Sequence, residues 1–203
     1  MNKQVKKFIE ENVDLIEKNK WEKIYINAES VLWLNVGEFT DALLACGINP
    51  LELGLNYIPN RFFYCGKIKE FIIPNNVTSI GNNAFYNCSS LTSIEIPDSI
   101  TSIGSFAFYN CNSLTNIDIP NSVINIGYGA FSYCSSLISV TIPESVTSIG
   151  EDMFHNCNSL TSVKYLGTKK EAMQLGIGNP LRKSWRKGSN IKKIICSDEV
   201  IEL

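Results

Sequence analysis

This 203-residue chain lacks the motifs that mark most metal and catalytic sites, and it has a single histidine, His155. It contains no Cys-x-x-Cys pair, no glycine-rich phosphate loop and no carboxylate pair that stands out from the acidic residues of its predicted loops. The common sequence signatures of zinc sites and nucleotide sites are therefore missing. We expect a protein that is not an enzyme and that uses no cofactor or metal.

Charged residues and long apolar runs are also few. Asp, Glu, Lys and Arg make up 19% of the residues, below the ~25% of a typical globular domain, and the net charge of −2 favours no class of partner. No apolar run is long enough for a secretory signal or a membrane span. If Met1 is the native start, the expected location is the cytoplasm.

What the sequence does contain is a repeat of 23 residues, with its clearest copy at 91–114. Two sets of residues recur at this interval: Ile-Pro pairs and single cysteines. The pairs are Ile73-Pro74, Ile96-Pro97, Ile119-Pro120 and Ile142-Pro143, and the cysteines are Cys65, Cys88, Cys111, Cys134 and Cys157. A period of this length is typical of a solenoid, in which no coil buries its apolar face alone and successive coils stack.

Each coil is predicted to have one strand side and one irregular side. The pattern Leu-x-x-Ile-x-Ile, as at Leu91, Ile94 and Ile96, alternates at its end like a strand with every second side chain buried. The proline that follows lacks an N–H and fixes φ, so it ends the strand. The rest of the coil contains a second apolar set, then a glycine and then a phenylalanine. The glycine position needs positive φ or close backbone approach. The glycines are Gly81, Gly104, Gly127 and Gly150, and the phenylalanines, predicted to stack as a spine, are Phe85, Phe108, Phe131 and Phe154.

Together these positions read I-P-x-S-V-T-S-I-G-x-x-A-F-x-x-C-S-S-L-T-S-I, a string that resembles the BspA-type leucine-rich repeat. The resemblance covers about half of the chain, roughly 72–163, where the template fits four times, and a degenerate earlier coil keeps the register over 57–74. It implies an α/β repeat solenoid whose right-handed coils place short parallel strands on a concave face. It also implies adhesion at a cell surface as an alternative function.

The two ends of the chain differ in composition from the repeats and are predicted to cap them. Residues 1–56 form a helical N-terminal cap, about five coils occupy 57–166, and 167–203 form a mixed C-terminal cap. In the C-terminal cap, Thr168 is the candidate N-cap of a short helix, and the last residues form one or two strands. The three N-terminal helical patterns run through Val5, Phe8, Ile9, Val13 and Ile16; through Trp21, Ile24, Ala28, Val31 and Leu32; and through Phe39, Leu43 and Cys46, ending at Gly47 and Pro50.

Five of the seven cysteines occupy one repeat position, where neighbouring copies of a parallel stack lie roughly 4.8 Å apart. We interpret them as a packed ladder of free thiols, because an odd total argues against a disulfide framework. His155 lies two residues before Cys157, but a Cys-His nucleophile also needs an orienting group and an oxyanion site. We interpret His155 as a variable surface residue beside a structural cysteine.

The strand side chains that point away from the predicted core form the candidate binding surface, which we call the strand face. Its positions vary between coils while the core positions do not, as expected for a ligand surface and equally for an ordinary solvated face. The candidate residues are Thr92, Ser93, Glu95, Thr115, Asn116, Asp118, Ile138, Ser139, Thr141, Thr161, Ser162 and Lys164, preceded in the degenerate coil by Lys69, Glu70 and Ile72. Glu95 and Asp118 form an acidic pair, with Lys164 at the far end.

These features predict a monomeric, non-catalytic module that binds an unknown protein partner through the strand face. The alternative is a surface or secreted adhesin, and a more distant one is binding of nucleic acid by a basic cluster in 167–203. That segment has eight Lys and Arg against four Asp and Glu, a net charge of +4, although a solvated cap around one buried tryptophan has the same composition. The cluster comprises Arg182, Lys183, Trp185, Arg186, Lys187, Lys192 and Lys193.

The interpretation of the cysteines predicts the thiol content of the protein. Denatured without a reducing agent, the chain should give five or more free thiols when titrated with a colorimetric thiol reagent, because no disulfide framework is expected. A titration close to zero would contradict the thiol ladder.

Overall fold

The computed structural model of the protein describes residues 3–18, 23–25, 36–45, 48–63, 68–177, 179 and 184–203. In the repeat region, successive coils contribute short parallel strands to two separate arrays. The first array consists of two hydrogen-bonded sheets. One contains β1 (Glu70–Ile72) and β3 (Ser93–Glu95), and the other contains β5 (Asn116–Asp118), β7 (Ser139–Ile142), β9 (Ser162–Tyr165), β10 (Lys193–Ile195) and β11 (Val200–Glu202). The second array contains β2 (Ser79–Ile80), β4 (Ser102–Ile103), β6 (Asn125–Ile126) and β8 (Ser148–Ile149). The predicted repeat solenoid is confirmed.

Strand pairing follows the sequence repeat. Within the repeats each paired residue lies opposite the residue 23 positions later, as Glu70 lies opposite Ser93 and Asn116 opposite Ser139. Side chains alternate as predicted, because Ile94 and Ile117 are buried between exposed neighbours on β3 and β5. The core is therefore built from columns of equivalent residues.

The second array corrects the prediction that one side of each coil is irregular. Its strands are formed by the second apolar set, whose Ile80 and Ile103 are buried and lie opposite each other. Each strand has only two residues, too few for an alternating pattern to appear in the sequence. The pairing comes from stacking, which brings the same backbone segment of adjacent coils within hydrogen-bonding distance.

The glycine column meets the second of its two predicted requirements, close backbone approach. A Cβ added to Gly127 would lie 2.4 Å from the backbone nitrogen of Ser105, and one added to Gly150 would lie 2.4 Å from that of Tyr128. Positive φ values occur instead two and six residues after each glycine. These positions are Asn83, Asn87, Phe106, Asn110, Gly129, Tyr133, Asp152 and Asn156.

A spine of phenylalanine rings fills the centre of the coils, as predicted. Phe85, Phe108 and Phe131 stack at centroid distances of 5.0 and 5.4 Å, with ring planes 6° apart. Phe154 continues the stack at 5.9 Å, and the indole of Trp185 lies 6.2 Å beyond it. Backbone bonds accompany the rings, because Phe85 N–H donates to Ala107 O and Phe154 N–H donates to Trp185 O.

The N-terminal segment is helical where it is described, with α1 (Lys3–Glu11), α2 (Val13–Glu17) and α3 (Val36–Ala45). The single helix expected over the first 20 residues is wrong: it divides at Asn12, whose side-chain amide donates to Phe8 O, and Val13 is exposed. The third predicted helix is confirmed as α3, with Phe39 and Leu43 buried.

Helical residues of the N-terminal segment pack on the first coil. The ring of Tyr25 lies 5.6 Å from that of Phe39 and 5.6 Å from that of Phe62, and Ile24 is buried beside it in the sequence. The predicted division of the chain at 56/57 and 166/167 stays a prediction. Of the predicted helical positions, Trp21, Ala28, Val31, Leu32, Cys46 and Gly47 lie outside the described residues.

The C-terminal segment adds one helix and two strands to the end of the stack. Thr168 is the N-cap of α4 (Lys169–Leu175), as predicted. It forms a capping box with Glu171, and Gly176 ends the helix at φ 81°. After a 3-10 turn at Ser184–Arg186, β10 pairs in parallel with β9 and β11 pairs antiparallel with β10. The first array thus continues beyond the repeats.

Because the coils stack closely, a single added methyl group should lower the stability of the protein considerably. Gly127→Ala should lower the free energy of unfolding by about 3 kcal/mol, because the added Cβ would meet backbone atoms of the preceding coil. Urea denaturation would measure the change. Asn125→Ala, at an exposed position of the same coil, is the matched control and should change stability by less than about 0.5 kcal/mol. Equal effects of the two substitutions would contradict the argument.

Candidate functional site

The strand face consists of parallel rows of side chains that run across the strands. In one row Asp118 lies opposite Thr141, Thr141 opposite Lys164, and Lys164 opposite Ile195. Of the twelve candidate residues, Thr141 and Ser162 are half-buried and the others are exposed. The structure therefore brings the predicted residues together on one surface.

Some of the polar side chains on this face already bond to the protein. Thr92 Oγ1 donates to Lys69 O of the preceding coil at 3.0 Å, and Ser139 Oγ donates to Asn116 Oδ1 at 2.8 Å. By contrast, Glu95 and Lys164 form no ion pair with any described residue. The charged residues are the ones left available for a partner.

Charge is distributed unevenly along the strand face. Glu70, Glu95 and Asp118 lie on successive strands β1, β3 and β5, and Lys164 and Lys193 lie on β9 and β10. Each end also has a charge of the other sign, because Lys69 precedes Glu70 and Glu202 of β11 lies opposite Lys193. At about 4.8 Å per strand, the centres of the two groups are roughly 17 Å apart. Neutral residues lie between them, among them Ile138, which is 60% exposed.

Sequence reasoning missed the contribution of the C-terminal strands to this face. Lys193 and Ile195 are exposed on β10, and Val200 of β11 lies opposite Ile195. The sequence signal for β10 is that Ile194 and Cys196 alternate with residues that are exposed. The register of this strand with the repeats, however, depends on the pairing of β10 with β9. That pairing joins residues 31 positions apart, since Ser162 lies opposite Lys193.

The basic cluster is divided in the described part of the chain. Trp185 is buried at the end of the phenylalanine spine, and Arg186 donates through a guanidinium nitrogen to Ile191 O. Lys187 lies on the turn beside Asn156, whose N–H donates to Lys187 O, while Lys193 lies on the strand face. Arg182 and Lys183 lie outside the described residues. This division supports the interpretation of the segment as a solvated cap.

The cysteine column is buried and hydrogen-bonded, as expected for structural thiols. Cys88, Cys111, Cys134 and Cys157 are free and buried, and Cys65 lies outside the described residues. Each thiol donates to the carbonyl of a phenylalanine in the preceding coil, as Cys134 does to Phe108 O at 3.1 Å. Burial raises the pKa of Cys111 and of Cys157, which disfavours the nucleophilic thiolate.

His155 belongs to a different surface. Its ring lies 5.2 Å from that of Tyr133, and its Nδ1 is 4.0 Å from Asp152 Oδ1, whereas the thiol of Cys157 donates to Phe131 O. The two side chains thus have separate partners.

Among the described residues no group of three or more His, Cys, Asp and Glu could hold a metal ion, and no helix in them has the length and apolar character to cross a membrane.

The two arrays of short parallel strands, stacked at a fixed 23-residue interval, define a solenoid repeat protein. The chain belongs to the BspA-type leucine-rich repeat family, whose model matches residues 56–174 in six copies. The sequence alone indicates about five coils in this region. Among curated proteins no relative of the chain is found.

Several solved structures share the fold. A leucine-rich repeat protein of T. pallidum is 37% identical, with a TM-score of 0.53 over 54% of this chain and 52% of that one. One from Bacteroides ovatus is 24% identical, with a TM-score of 0.50 over 70% and 45%, and the pneumococcal vaccine antigen PcpA is 18% identical, with a TM-score of 0.51 over 73% and 43%. The chain spans about half the length of these proteins or less.

Burial of the cysteine column predicts slow alkylation. In the native protein at pH 8, iodoacetamide should leave Cys88, Cys111, Cys134 and Cys157 unmodified, because they are inaccessible and burial raises the pKa of two of them. Peptide mass spectrometry would measure labelling, with the urea-unfolded chain as the fully labelled control. Fast labelling of one column cysteine in the native state would identify a reactive thiol and contradict its structural role.

Proposed function

We propose that the protein is a non-catalytic binding module that holds a protein partner on its strand face. The observation that carries the proposal is the row of charged side chains on this face that have no ion-pair partner among the described residues, Glu95 and Asp118 at one end and Lys164 at the other. Free charges of both signs at fixed positions give orientation and specificity to a complex.

The rigidity of the surface supports this function. The charges project from strands whose backbones are hydrogen-bonded to their neighbours, so binding needs little reorganisation of the face. Seven strands at about 4.8 Å extend for roughly 30 Å, which is small for a stable interface. A partner of high affinity would therefore also contact one of the caps.

The alternative proposal is adhesion at a cell surface, which membership of the BspA-type family favours. The two functions differ in where the protein is found, cytoplasm for the first and envelope or medium for the second. Fractionation of the source cells followed by immunoblotting of the untagged protein separates them. Recovery only in the cytosol would remove the adhesin proposal, and recovery in the envelope or the medium would make it the leading one.

Charge reversal tests the strand face directly. Glu95→Lys combined with Asp118→Lys should weaken capture of a protein partner by about tenfold or more, because two unpaired carboxylates are replaced by like charge. Quantitative pull-down from the source cells, compared with wild type, measures the loss.

The matched control reverses two exposed carboxylates in the turns that follow β3 and β7, Asp98→Lys with Glu144→Lys. It changes the net charge by the same amount and should capture the partner as the wild type does. Capture that survives the strand-face substitutions, or that both double variants lose equally, would contradict the proposal.

A further inference from the structure

A second surface of the solenoid carries a patch of aromatic rings on the turns between the glycine and cysteine columns. We call it the ring cluster, and it consists of Tyr86, Phe106, Tyr109, Tyr128 and Tyr133. Tyr86 and Tyr109 stack at 4.6 Å, and Tyr109 lies 5.7 Å from Phe106 and 5.1 Å from Tyr133. Phe106 lies 5.1 Å from Tyr128. The rings form one connected patch across three coils, with Tyr128 and Tyr133 42% and 37% exposed.

Two of these rings belong to residues whose backbone conformation disfavours a large side chain. Phe106 and Tyr133 have φ of 55° and 62°, in the left-handed region that large side chains rarely adopt. The equivalent residues in other coils are Asn83, Gly129 and Asp152 for Phe106, and Asn87, Asn110 and Asn156 for Tyr133. Asparagine, aspartate and glycine are the residues that tolerate this conformation. The pattern is departed from three times. Phe106 and Tyr133 each add a ring to the patch, whereas Arg61, which has φ of 59° and donates through its N–H to Asn82 O as Phe106 does to Tyr128 O, adds none.

The neighbouring coil is also adapted to the patch. A Cβ on Gly129 would lie 2.7 Å from Phe106 Cε1, so the absence of a side chain there leaves room for the phenylalanine ring. These rings lie outside the buried spine of Phe85, Phe108 and Phe131, which fills the centre of the coils. Strained positions that persist without a packing reason are characteristic of functional sites.

Charge near the ring cluster is acidic. The turn segments 81–87, 104–110, 127–133 and 150–156 contain no lysine or arginine, and their carboxylates are Glu151 and Asp152. Asp152 Oδ2 accepts a hydrogen bond from Tyr128 O–H at 2.5 Å, so the carboxylate is in direct contact with the patch. Arg61 and Lys187 lie in the segments on either side, where Arg61 N–H donates to Asn82 O and Lys187 O accepts from Asn156 N–H.

We propose that the ring cluster is a second binding surface, which takes arginine or lysine side chains of an extended polypeptide. Aromatic rings attract such cations through the negative charge of their faces, and guanidinium groups stack on rings while they bond to carboxylates. The surface lies outside the strand face, so this inference goes beyond the proposed function and does not depend on it.

Peptide titration of the full chain tests the charge preference. The probe is acetyl-(Arg-Ser)4-amide, and its control is the same peptide with citrulline, which keeps the shape of arginine without its charge. In ¹⁵N and aromatic ¹³C NMR spectra, the arginine peptide should shift resonances of Phe106, Tyr128, Tyr133 and Asp152. The citrulline peptide should bind about tenfold more weakly. Equal binding of both peptides, or shifts confined to the strand face, would overturn the proposal.

Substitution by the residue of the other coils separates binding from stability. Tyr133→Asn, alone and with Phe106→Asn, should weaken binding of the arginine peptide by about tenfold and leave Tm unchanged or higher, because asparagine tolerates the left-handed backbone. Glu95→Lys with Asp118→Lys should leave peptide binding unchanged. A lower Tm with unchanged affinity would show that the rings are structural, and loss of affinity only in the strand-face variant would assign the peptide to that face.

Discussion

Backbone hydrogen bonding between successive coils is the constraint on which the rest of the structure depends. Each coil bonds to the next through the second strand array, through the first array except between β3 and β5, and again along the turns, where Phe108 N–H donates to Ala130 O. Because these bonds fix the separation of coils near 4.8 Å, residues 23 positions apart must stack on one another. Only glycine fits where backbones meet, as at Gly127, and planar rings and amides suit the stack, as in the bond from Asn110 Nδ2 to Asn87 Oδ1.

The cysteine column follows from the same constraint. A thiol is small enough for the space between coils and apolar enough for the core, and it supplies a donor for a phenylalanine carbonyl of the preceding coil. The same carbonyls also accept the backbone N–H of the cysteine three residues later, as Phe85 O does from Cys88, so the thiol is a second donor to a buried oxygen. The column therefore has a structural role that requires no chemistry at sulphur. Burial also raises the pKa of Cys111 and of Cys157.

Where stacking does not dictate the residue, the coils differ from one another, and both candidate surfaces lie at such positions. The strand face varies because its side chains leave the core, which allows both the carboxylates Glu95 and Asp118 and the lysines Lys164 and Lys193 on one face. The ring cluster differs in kind, because Phe106 and Tyr133 occupy positions where the backbone favours asparagine or glycine. The solenoid thus has a face for a partner of mixed charge and a separate patch suited to cations.

The sequence by itself determined the repeat period, the buried columns, the strand-face residues within the repeats and the capping role of Thr168, because each is a local pattern read within one coil or one turn. Only the tertiary structure decided that the second apolar set pairs as strands, that β10 extends the strand face with Lys193, and that five rings meet in one patch. These features join residues 20 or more positions apart, or depend on φ values that a one-letter sequence does not specify. Stacking of coils, which no single coil encodes, brings them together.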